Sequence, residues 1–274
     1  MELPLVSVIM PARNAGSFIR EAIGSMLAQT WPHWELIVVE NGSTDRTGEV
    51  IASFHDPRIR HLHSPITGLC HARNLGLAKA RGSLLCFLDA DDRLPHRSIE
   101  ARATRLMADP QLRFVDGIVE TYDERMERVR RIWRPSFRGI PFLEMGKINP
   151  GCFSAISWMI RRSEDLVMEF DTSWTHLEDR VFFLSIAHAG AYDFVEEPCY
   201  HIRRRAGSLM SEHGYMEGAF RRYLARVRER DILSADQWKA ERRYFHRMFA
   251  RAYAREGHLA PAIGHAWSWL NIRR

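Results

Sequence analysis

Over the first hundred positions, apolar residues fall into short runs separated by polar stretches with helical spacing. Leu5–Met10 (LVSVIM) is a β-branched run that Pro11 should stop. From Ser17 onward, Phe18, Ala22, Ile23, Met26 and Leu27 recur at helical intervals. The runs WELIVVE, RIRHLHS and SLLCFLD predict three further strands. Between them, NGSTDRTGEVIASF and GLCHARNLGLAKA predict helices, the second stopped at Gly82. Strands alternating with helices of this length form a parallel sheet covered on both faces. In such sheets, ligands bind beyond the carboxyl ends of the strands.

After residue 112 the period changes. RFVDGIVETYDERMERVRRIWRP predicts two antiparallel strands around a charged turn, and CFSAISWMIRRS another strand. Asp179 should open a helix with Phe182, Phe183 and Ile186 on one face, and the final sixty residues are helical throughout. The expected fold class is therefore α/β: a Rossmann-like, mostly parallel central sheet flanked by helices, a small antiparallel element and a helical C-terminal tail. Residues 1–211 are expected to form one domain, with a break in pattern near 110, and 212–274 a basic helical extension.

Composition narrows the class. Hydrophobic content of 46% and charged content of 27% are those of a folded globular protein. No apolar run approaches the roughly 20 residues needed to span a bilayer. Glu2 and the lack of a basic n-region give no sign of a signal peptide. Cys70, Cys86, Cys152 and Cys199 lie far apart with no C-x-x-C spacing, which argues for reduced thiols and against a zinc or disulfide framework. The expected location is the cytoplasm. Charge is uneven: residues 212–274 hold thirteen Lys/Arg against seven Asp/Glu, while the rest of the chain nets −1. That tail favours an anionic partner, either the inner membrane surface or a lipid-linked or phosphorylated acceptor. A cap packed on the core with solvated arginines is the plainer alternative. No recognition motif accompanies the charge, so nucleic acid is not expected.

The stretch LLCFLDADDRLP puts Asp89, Asp91 and Asp92 within four positions at a strand end. Like charges that close repel unless a cation sits among them. A turn with Asp92 capping a helix near Pro95 would explain the same residues without chemistry. Company decides: VIMPARN, VVENGSTD, GLCHARNLG and FLDADD stand at four successive strand ends or exits, and HLEDRVFFL follows some ninety residues later.

With these motifs the chain resembles the family 2 glycosyltransferases of GT-A fold, over about residues 5–211. Members typically read V-S-V-I-I-P-x-Y-N, V-D-D-G-S-T-D, A-R-N-x-G, F-L-D-x-D-D and an E-D pair opening a helix. This chain has VSVIMPARN, VVENGSTD, ARNLG, FLDADD and LEDRVFF, and YHIRRRAGSLM matches a later family stretch. The resemblance implies an inverting, metal-dependent transfer from a nucleotide-diphosphate-sugar to a hydroxyl of a glycan or lipid-linked acceptor, as in surface polysaccharide or glycolipid synthesis. Residues 1–110 would be the donor half and 111–211 the acceptor half.

The resemblance further implies a role for each residue. Pro11, Ala12, Arg13, Asn14, Glu40, Asn41, Arg73, Asp89, Ala90 and Asp91 would line the nucleotide-sugar site. Asp91, with Asp89, would hold Mn²⁺ or Mg²⁺, hard cations suited to oxygen donors and to diphosphate charge. Arg73 would approach the diphosphate, unless it makes only a surface ion pair. Arg203 and Arg205 would close over the phosphates. Asp179 would be the general base, unless it merely caps its helix, with Glu178 toward the acceptor. Trp158, Trp174 and His176 flank this region and could stack on sugar or belong to the core. Glu40-Asn41 replaces the usual Asp-Asp and Arg13 a common aromatic, so the base is less certain to be uracil; UDP-sugar is expected, with GDP- or dTDP-sugars as alternatives. A non-catalytic sugar-nucleotide-binding protein keeping the fold is the competing reading. A nucleotidyltransferase is disfavoured, because PARNAGSF lacks a Gly-rich basic loop.

Overall fold

A computed structural model describes residues 2–145, 151–152, 156–205, 213–229, 233–255 and 257–271. Strands β1 (Val6–Ala12), β2 (Trp34–Glu40), β3 (Ile59–His63) and β4 (Leu84–Phe87) pair in parallel in the order β3-β2-β1-β4. Helices α1 (Ile19–Leu27), α2 (Thr47–Ala52) and α3 (Leu69–Lys79) connect them, as the alternating pattern predicts. β1 runs two residues farther than expected. Pro11 pairs with Val39 of β2 near its exit, where a missing N–H costs little. α3 ends at Lys79 rather than at Gly82, because Ala80 already turns to extended backbone.

Beyond α4 (Ser98–Ala108), β5 (Leu112–Tyr122) and β6 (Val129–Trp133) form the expected antiparallel pair. The short helix α5 (Pro141–Met145) follows. β7 is only Met159–Arg161, bridging β4 and β5 in antiparallel fashion; residues 153–155 of the longer strand expected here lie outside the described residues. α6 (Glu178–Ile186) leads into β8 (Ala191–Arg203), a thirteen-residue strand parallel to β5 that the sequence reading did not foresee. The eight-stranded sheet is mixed but mostly parallel, with helices on its faces.

The tail forms α7 (His213–Glu229), α8 (Ala235–Arg255) and α9 (Leu259–Asn271). The boundary expected at 211–212 lies outside the described residues. Phe220, Tyr223, Leu224, Val227, Phe245 and Phe249 join the same hydrophobic cluster as the sheet, so α7 and α8 are a cap packed on the core. A buried ion pair between Arg180 of α6 and Glu241 of α8 fixes the contact. Several tail arginines are used locally: Arg221 pairs with Glu217, Arg226 with Asp171, and Arg228 and Arg242 lie over Trp238. All four cysteines are buried and free.

Candidate active site

α3 lies tight against β1 because Gly76 faces Ile9, where an added Cβ would come within 2.4 Å of the Ile9 side chain. The helix begins at Gly68, whose φ of 146° favours glycine. This close approach brings Arg73, one turn before Gly76, under the carboxyl end of β4. Arg73 is only 2% exposed. Its guanidinium donates to Asp89 Oδ1 at 3.1 Å and to Glu178 Oε1 at 2.9 Å, and lies 5.1 Å from the Phe170 ring centre. Two motifs almost ninety residues apart thus converge on one cation. Burial works against its charge, but Asp89, Glu178 and Asp179 outweigh that and hold it more firmly protonated than a free guanidinium. Asn74 braces the overlying segment, pairing through its side-chain amide with both the N–H and the C=O of Phe170 at 2.8 Å.

Asp179 sits in the first turn of α6, beside Glu178. Leu177 precedes the helix with a left-handed φ of 62°, a strained conformation for leucine. Asp179 therefore is not the N-cap. Its Oδ1 accepts from the Arg180 N–H at 2.7 Å. Burial, then the Glu178 charge, push its pKa up to about 7, against the pull of Arg73. A carboxyl group poised there can take a proton near neutrality.

The acidic loop is held from β8. The Asp89 N–H donates to Tyr200 Oη at 3.0 Å, and Arg93 and His201 exchange backbone bonds at 3.1 and 2.9 Å. Asp92 does not cap α4. It is buried and accepts from the Arg203 N–H at 2.7 Å. Arg203 is no phosphate lid either: its buried guanidinium donates to the Asp91 carbonyl at 2.7 Å and to Glu21 at 2.9 Å. Arg205 remains partly exposed and donates through Nε to Asp91 Oδ2 at 2.7 Å. Asp89 and Asp91 keep 35% and 24% of their side chains exposed. Among the described residues, Asp89 Oδ2 and Asp91 Oδ1 have no hydrogen-bond partner. Two such free, hard oxygens fit a Mg²⁺ or Mn²⁺ ion.

Pro11 and Ala12 at the end of β1 and Ala90 in the loop after β4 are buried and offer backbone only, while Arg13 is exposed. Asn14 accepts from the Thr44 N–H at 2.9 Å, tying the β1 and β2 exits together. Asn41 is committed to structure: it is buried, donates to the Ile66 carbonyl at 2.9 Å and accepts from the Gly68 N–H at 2.6 Å. Glu40 stands at the end of β2, but its carboxylate turns toward His61 and His63 of β3.

Two of the aromatic candidates are corrected. Trp158 is 0% exposed, packed against Phe114, Phe183 and Tyr192, so it has no face for a sugar. Trp174 is buried too, with Arg226 over its ring. His176 stays partly exposed two residues before Glu178. The role of Tyr200 escaped the sequence reading; an aromatic within YHIRR was its only signal.

Residues 7–166 match the model of the family described as glycosyl transferase family 2. The chain belongs to that family. Among family relatives, an uncharacterized glycosyltransferase of Bacillus subtilis, EpsJ, is 45% identical over 92 residues, 33% of this chain and 27% of its own length. An uncharacterized glycosyltransferase of Rickettsia bellii is 34% identical over 216 residues, 78% of this chain and 31% of its own length. The match thus spans about a third or less of these relatives. Among solved structures, S. aureus TarS 1–349 in complex with UDP-GlcNAc superposes with a TM-score of 0.70 at 18% identity, covering 97% of this chain and 79% of that one. Mannosyltransferase PcManGT from Pyrobaculum calidifontis, in complex with GDP-Man and Mn²⁺, gives 0.63 at 21% identity, covering 97% and 74%. The fold is GT-A, as the sequence implied.

Proposed function

We propose that this chain transfers a sugar from a nucleotide-diphosphate donor to a hydroxyl acceptor, with inversion at the anomeric carbon. The observation that carries this reading is the constellation gathered by Arg73: Asp89 from the β4 loop and Glu178 from α6, with Asp179 alongside. In a family 2 chain, that is where the diphosphate and the reacting centre would meet.

Asp89 and Asp91 would hold Mg²⁺ or Mn²⁺, which when bound offsets the charge of the departing diphosphate. Arg73 fixes the positions of Asp89 and Glu178 and adds positive potential beneath the phosphates. Arg205, partly exposed and already at Asp91, can swing onto phosphate oxygens as the donor arrives. Asp179 accepts the proton of the attacking hydroxyl from the side opposite the leaving group. Glu178, held by Arg73, faces the acceptor together with His176. Arg13 lies nearest the base, while the Glu40 carboxylate is turned to His61 and His63, and the donor is a UDP-sugar. The binding of UDP-GlcNAc by TarS supports that choice, while the GDP-Man of PcManGT names the competitor.

The acceptor is a glycan or lipid-linked saccharide, reached from a peripheral position on an anionic membrane. No helix among the described residues is long and apolar enough to cross a bilayer. The contact belongs to α9, where Leu259, Ile263, Trp267 and Leu270 recur at helical spacing and are exposed, on a tail with a net charge of +6. Loss of co-sedimentation with anionic vesicles in Trp267→Ser supports this placement; unchanged co-sedimentation refutes it.

One observation favours the non-catalytic alternative: Arg205 already occupies one oxygen of Asp91. The deciding experiment follows thermal stability with UDP, GDP or dTDP, each with Mn²⁺, and then donor turnover. A ligand at 100 times its Kd stabilises by about 2.7 kcal/mol. A UDP–Mn²⁺ shift that Asp91→Asn abolishes, with slow donor hydrolysis, supports transfer. A shift without any turnover across acceptors supports the binding protein.

A further inference from the structure

Outside the carboxylate cleft, three other metal-ligating side chains converge at the exposed edge of the sheet. His61 and His63 alternate along β3, so both imidazoles lie on one face. In the parallel register His63 is paired with Glu40, and His61 with Val38, which puts Glu40 on that same face. The juxtaposition is therefore set by strand register rather than by chance side-chain orientation.

We propose that Glu40, His61 and His63 form a site for a late first-row divalent cation such as Zn²⁺, distinct from the Asp89–Asp91 pair. His61 Nε2 lies 3.0 Å and His63 Nδ1 3.4 Å from Glu40 Oε2. The three donor atoms all fall within 4.8 Å of one another. Around a tetrahedral ion with bonds of 2.0–2.1 Å, donors sit roughly 3.3 Å apart. Two imidazole nitrogens with one carboxylate oxygen suit Zn²⁺, Co²⁺ or Ni²⁺, whereas the all-oxygen aspartate pair suits Mg²⁺ or Mn²⁺.

Two further features favour occupancy. The Glu40 side chain is only 12% exposed, and among the described residues its side-chain partners are these two imidazoles; no lysine or arginine neutralises it. Gly48 lets the α2 backbone close over the carboxylate, since a Cβ there would stand 2.9 Å from Oε2. His63, 75% exposed, leaves a path for the ion and a fourth position for water. With a metal bound, Glu40 is held toward β3 and away from a nucleobase.

The test uses the tag-free, metal-stripped full chain without any donor, so it is independent of sugar transfer. Co²⁺ is titrated in and its visible ligand-field absorption followed, then Zn²⁺ is added to displace it. The expected result is one saturable equivalent that Zn²⁺ displaces and that persists in Asp91→Asn. The band should vanish in His61→Ala/His63→Ala, with a loss in affinity exceeding the roughly 10–100-fold that even an outer-sphere partner costs. Should the double variant fail to fold, His63→Gln, at an exposed position, carries the same expectation. Absence of a saturable band in the parent chain, or a band undiminished in the variants, overturns the proposal and leaves a plain His–Glu ion pair.

Discussion

Replacing Arg73 with methionine removes the buried guanidinium that, among the described residues, joins the β4 loop to α6. The parent makes ion pairs of 3.1 Å to Asp89 and 2.9 Å to Glu178 from a side chain 2% exposed. Methionine fits much of the aliphatic volume but leaves the carboxylates facing one another. Breaking a buried pair by deleting one partner costs about 3–5 kcal/mol. At roughly 2–4 °C per kcal/mol for a chain of this size class, the midpoint should fall by about 6–20 °C. Because Arg73 and Glu178 are largely shielded from solvent, 0.5 M salt should recover little of the loss, whereas a surface pair would be screened. Thermal unfolding followed by circular dichroism at pH 7.5 gives the measurement. Adding Glu178→Gln to Arg73→Met should restore part of the stability, with a coupling of about 0.5–3 kcal/mol. A loss under about 1 kcal/mol, or full independence of the two substitutions, refutes the buried-hub account.

Asp179→Asn should lower kcat by about 10²–10⁴-fold with donor KM little changed, and parent activity should rise with pH through about 7 as the carboxylate ionises; a pH–rate profile without that limb contradicts the base assignment. Since burial favours the protonated form, that group costs the native state stability as pH rises from the ordinary carboxylate range through about 7, so the same variant should melt no lower than the parent at pH 8. Glu35 is the opposite case: Ser7, Arg60 and Arg81 outweigh burial and hold its pKa down at about 2, so its stabilisation is present above the unfolded value and lost as pH falls toward 2. Glu35→Gln should cost about 2–3 kcal/mol at pH 7 and flatten acid unfolding, as read by urea titrations at pH 7 and 3. Trp158→Ala should cost about 3–5 kcal/mol through a core cavity; a variant of near-parental stability with raised acceptor KM would return Trp158 to the site.

Much of the fold over residues 1–110 was legible because each strand and helix there carries its own period and its own terminator. The carboxylates of the β4 loop, Arg73 and the Glu178–Asp179 pair stood out for a different reason, as motifs at a strand end, in the helix after a strand and at a helix start. β8 was not, since Glu196, Glu197 and Pro198 interrupt its alternation and its partner β5 lies some seventy residues earlier. With β8 hidden, Arg203 read as a free cation rather than a buried strut, and Asp92 as a helix cap. Trp158 and Trp174 were equally ambiguous, because stacking on a sugar and packing in a core call for the same residue type. Phe114 and Tyr192, brought in from β5 and β8, and Phe183 from α6 decide the case for Trp158. Part of the tail's charge was not legible as structure: Arg221, Arg226 and Arg228 serve the fold only once Glu217, Asp171 and Trp238 are placed beside them.

The dependence of the acidic loop on β8 also orders events as the chain folds. Asp89, Asp91 and Asp92 are synthesised early, but Tyr200, whose hydroxyl accepts from the Asp89 N–H, and Arg203, which donates to the Asp91 carbonyl and the Asp92 carboxylate, come more than a hundred residues later. Until β8 docks in parallel on β5, Asp91 and Asp92 lack the Arg203 donors that hold them, and Arg73 alone steadies Asp89 among the described side chains. Long-range parallel pairing is among the slower steps a chain can take. The sheet's first four strands can therefore pair before the acidic loop is held from β8, and a fragment ending at residue 166 would carry the acidic motif of the β4 loop without Tyr200 and Arg203 to hold it.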